Sequence, residues 1–169
     1  MKEIAITGTN NKAIIDDEDF ELVSSHKWSF SRSTKYPRCR NKKGETVYMH
    51  RLLMGLSHGD SRCVDHINGN VLDNRKENLR ICTRQQNAFN KRNKSLPKSG
   101  FRGVRKASNN RWQALLTIGG KTKTLGSYVD IKEAAKVYDR AATQLFGEYA
   151  CTNESMGLLS MGSVKTLIR

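Results

Sequence analysis

The stretch CVDHINGNVLDNRKENLRICTRQQN, residues 63–87, decides how this chain is read. Arg62 to Ile67 alternates in the manner of a strand and ends on an adjacent carboxylate and imidazole, Asp65 and His66. Asn68, Gly69 and Asn70 can turn the chain. Asn78 to Cys82 suits a return strand, Thr83 is a good N-cap, and RQQNAFNKR can follow as a helix. The segment therefore predicts a hairpin with a long loop, packed on a helix. Neighbours on a strand point to opposite sides, so one of Asp65 and His66 can bind a metal while the other faces a substrate. Asn87 lies one helical turn after Thr83, which can bring its amide oxygen towards Asp65. A carboxylate and an amide oxygen make a hard donor pair that suits Mg²⁺, Mn²⁺ or Ca²⁺. A neutral histidine near a phosphate held there can take a proton from an attacking water.

The residues VDHINGN, then NRKENLR, then a helix ending in Asn87 resemble the HNH endonucleases, specifically the phage and intron-encoded homing type with a ββα-metal fold. That resemblance implies that Asp65 and Asn87 hold one divalent ion, Mg²⁺ foremost and Mn²⁺ as the alternative. It implies His66 as the general base and Asn78 as the residue that braces the loop by side-chain hydrogen bonds and helps to orient His66. Arg84, on the same helix face one turn before Asn87, is the candidate contact to the scissile phosphate. The last letter of the family name is often His; the homing branch accepts the Asn87 found here. Asn74 is read as loop chemistry and Asn90 as a second-choice ligand. His50 is read as packed or phosphate-facing, and His26 and His58 as surface residues.

Bulk composition agrees with an anionic partner. The 169 residues carry 30 Lys and Arg against 16 Asp and Glu, a formal charge of +14 that favours DNA, RNA or an anionic membrane surface. No apolar run reaches the roughly 18 residues of a membrane span, and MKEIAITGTNNK lacks the apolar centre of a signal peptide. Cys39, Cys63, Cys82 and Cys151 form no C-x-x-C pair, which argues against a zinc ribbon or a disulfide framework and for reduced thiols. The basic residues concentrate between Arg84 and Lys106, where no acid interrupts them, whereas DDEDFE (16–21) is an isolated acidic patch.

Composition divides the chain into a β-rich N-terminal region (1–60), the hairpin-and-helix core (61–92), a basic linker (93–98), a second unit (99–153) and a tail (154–169). In the second unit Phe101 to Val104, Arg111 to Ile118 and Lys121 to Leu125 read as three strands, with turns at Asn109-Asn110 and Gly119-Gly120. Asp130 and Glu133 suit a capping box, and Ile131, Ala134, Ala135, Tyr138, Ala141, Ala142 and Leu145 follow helical spacing up to Gly147. The expected fold class is α+β: a ββα-metal unit preceded by small strands, then a three-stranded antiparallel sheet packed on one helix. FRGVR, RWQA, LGSY, EAAKVYDRAA and FGEYACTN resemble the AP-two/ethylene-response-factor DNA-binding domain. By that resemblance Arg102, Arg105, Arg111, Trp112 and Lys123 are the DNA-contact candidates. Leu125 and Leu115 stand where the plant domains usually carry Trp and Glu, so no preferred base sequence carries over.

Together these readings imply a metal-dependent DNA endonuclease that hydrolyses a phosphodiester and is targeted by its C-terminal sheet. The resemblance adds a homing, strand-nicking habit and a phage or mobile-element origin, with action in the host cytoplasm. Double-stranded DNA is the expected partner, with no membrane, no small-molecule substrate and a monomeric chain. The competing reading is a DNA-binding regulator on a degenerate HNH scaffold; the presence of Asp65, His66, Asn78 and Asn87 argues against it.

Overall fold

A computed structural model describes residues 1–30, 35–90 and 97–160. Arg32, the cations Lys91, Arg92 and Lys94, most of the linker at 93–98 and the tail beyond 160 lie outside the described residues. The chain divides into two compact units, Met1–Asn90 and Lys91–Arg169.

The first unit opens on an antiparallel pair, β1 (Lys2–Ala5) with β2 (Lys12–Ile15), in which Ala13 and Ile15 alternate inward. A short helix, α1 (Phe20–Ser24), leads to a three-stranded antiparallel sheet of β3 (Ser29–Phe30), β4 (Pro37–Arg40) and β5 (Thr46–Tyr48). After α2 (Met49–Leu53) comes a separate two-stranded ladder, β6 (Cys63–His66) with β7 (Leu79–Cys82), and then α3 (Arg84–Phe89). Thr83 starts that helix with a full capping box: its hydroxyl accepts from the Gln86 N–H, and the Gln86 side chain accepts from the Thr83 N–H.

A lone two-stranded ladder is marginal in water. Here β6 and β7 escape that limit by sharing one core with everything before them. Val64 and Leu79 pack with Ile4, Ile6, Ala13, Ile15, Val23, Trp28, Met49 and Leu53. Trp28 is the largest fully buried side chain of this unit, and its indole N–H is satisfied by the Val23 carbonyl at 2.8 Å. The β6–β7 loop is also stitched to β2. Ile14 N–H donates to Leu72 O, and Asn74 N–H donates to Ile14 O, both at 2.8 Å. The acidic patch belongs to this seam. Asp16 accepts the Lys76 N–H at 2.8 Å, while Lys76 Nζ reaches Glu18 at 2.6 Å and Asp19 at 3.0 Å. These contacts hold the loop in place.

In the second unit β8 (Val104–Lys106), β9 (Trp112–Ile118) and β10 (Lys121–Tyr128) form an antiparallel sheet with β9 in the middle. The first strand starts later than the sequence suggests. Gly103 has φ +70°, and Ser99 Oγ ties the Phe101 and Val104 carbonyls, so Phe101 to Gly103 is a turn. The last strand runs on to Tyr128 through an irregularity between Thr124 and Gly126. Helix α4 (Ile131–Phe146) is capped by Asp130, which accepts from the N–H groups of Lys132 and Glu133. Ala134, Ala135, Tyr138 and Ala142 are buried, whereas Leu145, expected inward, is 49% exposed. The inward stripe is closed at its end by Phe146 instead. Asp139, also buried, accepts from Asn153 N–H and Nδ2 (both 2.8 Å) and from Glu154 N–H (2.9 Å), while Asn153 Oδ1 accepts from Arg102 N–H at 2.7 Å. This network fastens the segment after α4 back to the start of the sheet. The cysteines are free thiols, with Cys63 directly across from Cys82 in the β6–β7 register.

Gly103 is where the helix and sheet come closest: a Cβ there would lie 2.0 Å from the Tyr138 ring. Gly103→Ala is expected to destabilise the second unit by about 3 kcal/mol, combining overpacking with left-handed backbone strain. Gly100→Ala, with a similar φ and nothing within 4 Å, should cost only about 1 kcal/mol in urea titrations.

Candidate active site

The β6–β7 register sets Asp65 opposite Arg80 and His66 opposite Leu79. Both Asp65 and His66 are nearly removed from water, at 6% and 4% exposure, in two different surroundings. The sequence leads one to expect His66 open to substrate. Its burial has a physical cause: the N-terminal sheet and α2 pack over that side of β6.

Asp65 faces its own return strand and the end of α3. Arg80 donates to Asp65 Oδ2 through Nε at 2.9 Å and Nη2 at 2.6 Å. Asn90 Nδ2 donates to Asp65 Oδ1 (3.1 Å) and Oδ2 (3.0 Å), and also to the His66 carbonyl at 3.0 Å. A backbone carbonyl only accepts, so the amide nitrogen of Asn90 must face the carboxylate. Asn90 is thus the residue that orients Asp65, not an oxygen donor beside it. Asn87, on the same helix, is half-buried and donates its backbone N–H to Thr83 O at 3.0 Å. Arg84, in the first turn of α3, is exposed. Asp65 meets a guanidinium and an amide N–H here, so the fit to a hard divalent ion rests on its carboxylate, the donor type such ions take. Among the described residues no group of three or more His, Cys, Asp and Glu converges to bind a metal, so an ion here would depend on carboxamide oxygen as well as Asp65.

His66 lies in an aromatic pocket. Tyr36 stacks over its ring at 5.8 Å between centroids and 19° between planes, and His50 meets it edge-on at 5.3 Å. Its Nε2 contacts Asn74 Oδ1 at 3.4 Å. That contact makes Nε2 the protonated nitrogen and leaves Nδ1 with the free lone pair. Burial pushes the His66 pKa down, opposed by the Asn74 contact and by the charges of Asp65 and Asp73. His50, 6% exposed, is pushed down to about 3 by burial, by His66 and by Arg51; among the described residues its Nδ1 has no hydrogen-bond partner.

The asparagines of the opening stretch have separate tasks. Asn78 Oδ1 accepts from the Asn68 N–H at 2.9 Å, and its Nδ2 donates to the Asp73 carbonyl at 2.7 Å, so it spans the loop. Asn68 and Asn70 cap successive turns through their own side chains. Asn68 Nδ2 also reaches Asp73, whose pKa is held down by its pairing with Arg75. Asn74 is the one that touches His66. Its sequence signal is no different from that of the other loop asparagines, because its position against β2 comes from a long-range contact.

The C-terminal candidates fall into two groups. On β9, Trp112 shares the side of Ala114 and Leu116 and packs with Val104, Ala114, Ala134 and Ala135. Arg102 Nε donates to Tyr138 OH on α4 at 2.8 Å. These two brace the helix–sheet contact, contrary to their expected place on the open face. Arg105 and Arg111 do lie on that face: Arg105 donates to Gln113 at 3.0 Å, and Arg111 to the Ser127 carbonyl at 2.8 Å. Lys123 is exposed, across from Leu116 near the sheet end.

The buried neutral imidazoles predict acid sensitivity. A histidine with a depressed pKa stabilises the fold fully above its unfolded value of 6.5, and that stability is lost as pH falls towards the folded value. The melting midpoint of the first unit should therefore drop as pH falls from about 6.5 towards about 3, and His50→Phe should flatten that slope. An unchanged slope in His50→Phe would assign the acid sensitivity elsewhere.

Comparison with known proteins bears on the same residues. A family model described as HNH endonuclease matches residues 47–89, from β5 to the end of α3. The chain is 33% identical over 149 residues to "Uncharacterized HNH endonuclease L560" of Acanthamoeba polyphaga mimivirus, covering 87% of this chain and 77% of that protein. It is 28% identical over 88 residues to "Protein 3.8" of Escherichia phage T7, covering 52% of this chain and 72% of that protein. Likeness at this level over most of both chains, with the family match centred on the hairpin that carries Asp65 and His66, makes this chain a member of the HNH endonucleases.

Proposed function

We propose that the protein is a metal-dependent DNA endonuclease of the homing, strand-nicking kind, with a ββα-metal site in its first unit. The observation that carries this reading is the pairing of unlike environments along one strand. Asp65 is oriented by hydrogen-bond donors from β7 and α3, while His66, the next residue, is kept neutral in an apolar pocket. Asp65 and Asn87 would hold one divalent ion, Mg²⁺ foremost. When bound, that ion stabilises charge on the scissile phosphate and the leaving oxygen. His66 acts as general base through Nδ1, with Asn74 fixing the opposite nitrogen as the protonated one. Asn78 keeps the loop folded beneath the base, and the exposed Arg84 is available to the phosphate. Because His66 is so little exposed, turnover requires Tyr36, itself half-buried, to move off the ring when substrate engages.

The second unit is the targeting module, similar to the AP-two/ethylene-response-factor domain. Its open sheet face, with Arg105, Arg111 and Gln113, presents a ribbon suited to the major groove of double-stranded DNA, where arginine forks reach guanine edges or phosphates. The formal charge of +14 adds a sequence-independent attraction to the backbone. With one site per chain, a monomer, the state proposed here, nicks one strand, and a double-strand cut needs a dimer or a second event. Among the described residues no helix is long and apolar enough to cross a membrane, and the phage and viral relatives agree with action inside a host cell.

Supercoiled plasmid tests the catalytic part. Wild type should nick it only with a divalent ion, and His66→Ala should slow nicking by about 100-fold or more without changing duplex affinity. Undiminished nicking by His66→Ala would remove His66 from the mechanism. For the targeting part, Arg105→Ala with Arg111→Ala should weaken duplex binding and reduce its salt slope by up to about 2, at roughly 0.9 per lost phosphate contact. Arg102→Ala should mainly lower the melting point of the second unit, and tight cognate binding by the Arg105/Arg111 double variant would contradict the assignment of that face.

A further inference from the structure

The carboxylate of Asp65 already has a cation. Arg80 lies directly across the ladder from it, the two side chains are 12% and 7% exposed, and the guanidinium places both Nε and Nη2 on Oδ2. A buried carboxylate is stable only when its charge is met, and here Arg80 meets it. A divalent ion arriving at Asp65 upsets that balance. The carboxylate supplies one negative charge and the carboxamides of α3 supply none, so ion, guanidinium and carboxylate would together leave a net charge of about +2 in a poorly hydrated place.

Other cations of this hairpin and loop are engaged elsewhere: Arg75 with Asp73 and Glu77, Lys76 with Glu18 and Asp19. The anion that relieves the excess is a phosphodiester, and a guanidinium fork matches phosphate oxygens in a bidentate way. Asp65 need not lose its orientation when Arg80 departs. Asn90 still holds both carboxylate oxygens and is itself fixed by the His66 carbonyl.

Resting on the nuclease reading, we propose that Arg80 is an exchangeable counter-ion of Asp65: it fills the cation position of the DNA-free site and passes to a DNA phosphate when the divalent ion binds. Metal and DNA then strengthen each other's binding, and the free protein holds its metal weakly. Arg80 becomes a phosphate-positioning residue that neither its strand position nor its charge alone reveals.

Mn²⁺ binding followed by electron paramagnetic resonance tests this, in full-length protein carrying His66→Ala so that the duplex stays intact. Duplex DNA, corrected for the Mn²⁺ it binds by itself, should raise the protein's Mn²⁺ affinity about tenfold, a usual size for coupling between sites. Arg80→Gln should raise the DNA-free affinity several-fold and shrink the duplex effect, leaving only the part due to direct phosphate contact with the ion. Arg80→Lys, which keeps the charge, should retain the weak DNA-free affinity. Adding Asp65→Asn to Arg80→Gln should remove the gain, which places it at Asp65. The proposal is overturned if folded Arg80→Gln binds Mn²⁺ no more tightly than its parent, or if duplex leaves the parent's affinity unchanged. The second comparison needs no change at Arg80, so a null result there overturns the proposal even if Arg80→Gln fails to fold. Divalent-dependent plasmid nicking by the wild type separates the two levels: if it persists while the Mn²⁺ results fail, the nuclease reading stands and only the role of Arg80 falls.

Discussion

A charged carboxylate and a neutral imidazole occupy consecutive positions on one short strand, and each is almost fully withdrawn from water. Their needs are opposite. Asp65 needs donors and a positive charge close by, because an uncompensated buried carboxylate costs several kcal/mol. His66 needs apolar contact that holds it neutral, with one nitrogen committed and the other open. Strand alternation is the simplest way to satisfy both, since it sends the two side chains to opposite sides without any special backbone geometry. Arg80 and Asn90 build the polar side; Tyr36, His50 and Asn74 build the other.

Most of the first unit follows from supplying those two sides. The hairpin is too small to be stable alone, so it borrows a core from β1, β2, Trp28 and α2. Helix α2 also carries His50, and the entry to β4 carries Tyr36, both against His66. The loop between the strands has no core of its own and is held by side chains instead: Asn68, Asn70 and Asn78 on loop backbone, Asp73 on Arg75 and Asn68, and the acidic patch on Lys76. This explains why a run rich in asparagine was needed between Asp65 and Thr83. Each amide offers both a donor and an acceptor, and a tight loop without regular structure needs both.

Local chemistry was legible in the sequence, and long-range chemistry was not. Thr83 as a cap, the Asn109-Asn110 and Gly119-Gly120 turns and the alanine-lined face of α4 all depend on neighbours within a few residues. The partners of Asp65 depend instead on a register set by a twelve-residue loop, so the sequence alone does not single out Arg80 and offers Asn90 only as a second-choice ligand. His66 looked exposed because nothing in its own segment covers it; Tyr36 arrives from about thirty residues earlier. In the second unit Trp112 and Arg102 suggested DNA contacts by residue type. Strand parity packs the first against the core, and the turn at Gly103 brings the second to Tyr138.

The central claim is that Asp65 and His66 share one reaction centre, with the ion on the carboxylate side and the base on the other. Anomalous scattering from Mn²⁺ in crystals of the protein with an uncleavable duplex tests it most directly. The account predicts a single anomalous peak within coordination distance of an Asp65 oxygen and an α3 carboxamide oxygen, with a phosphate between that peak and Nδ1 of His66. A peak remote from Asp65, or a phosphate seated there while His66 remains sealed beneath Tyr36, would contradict it.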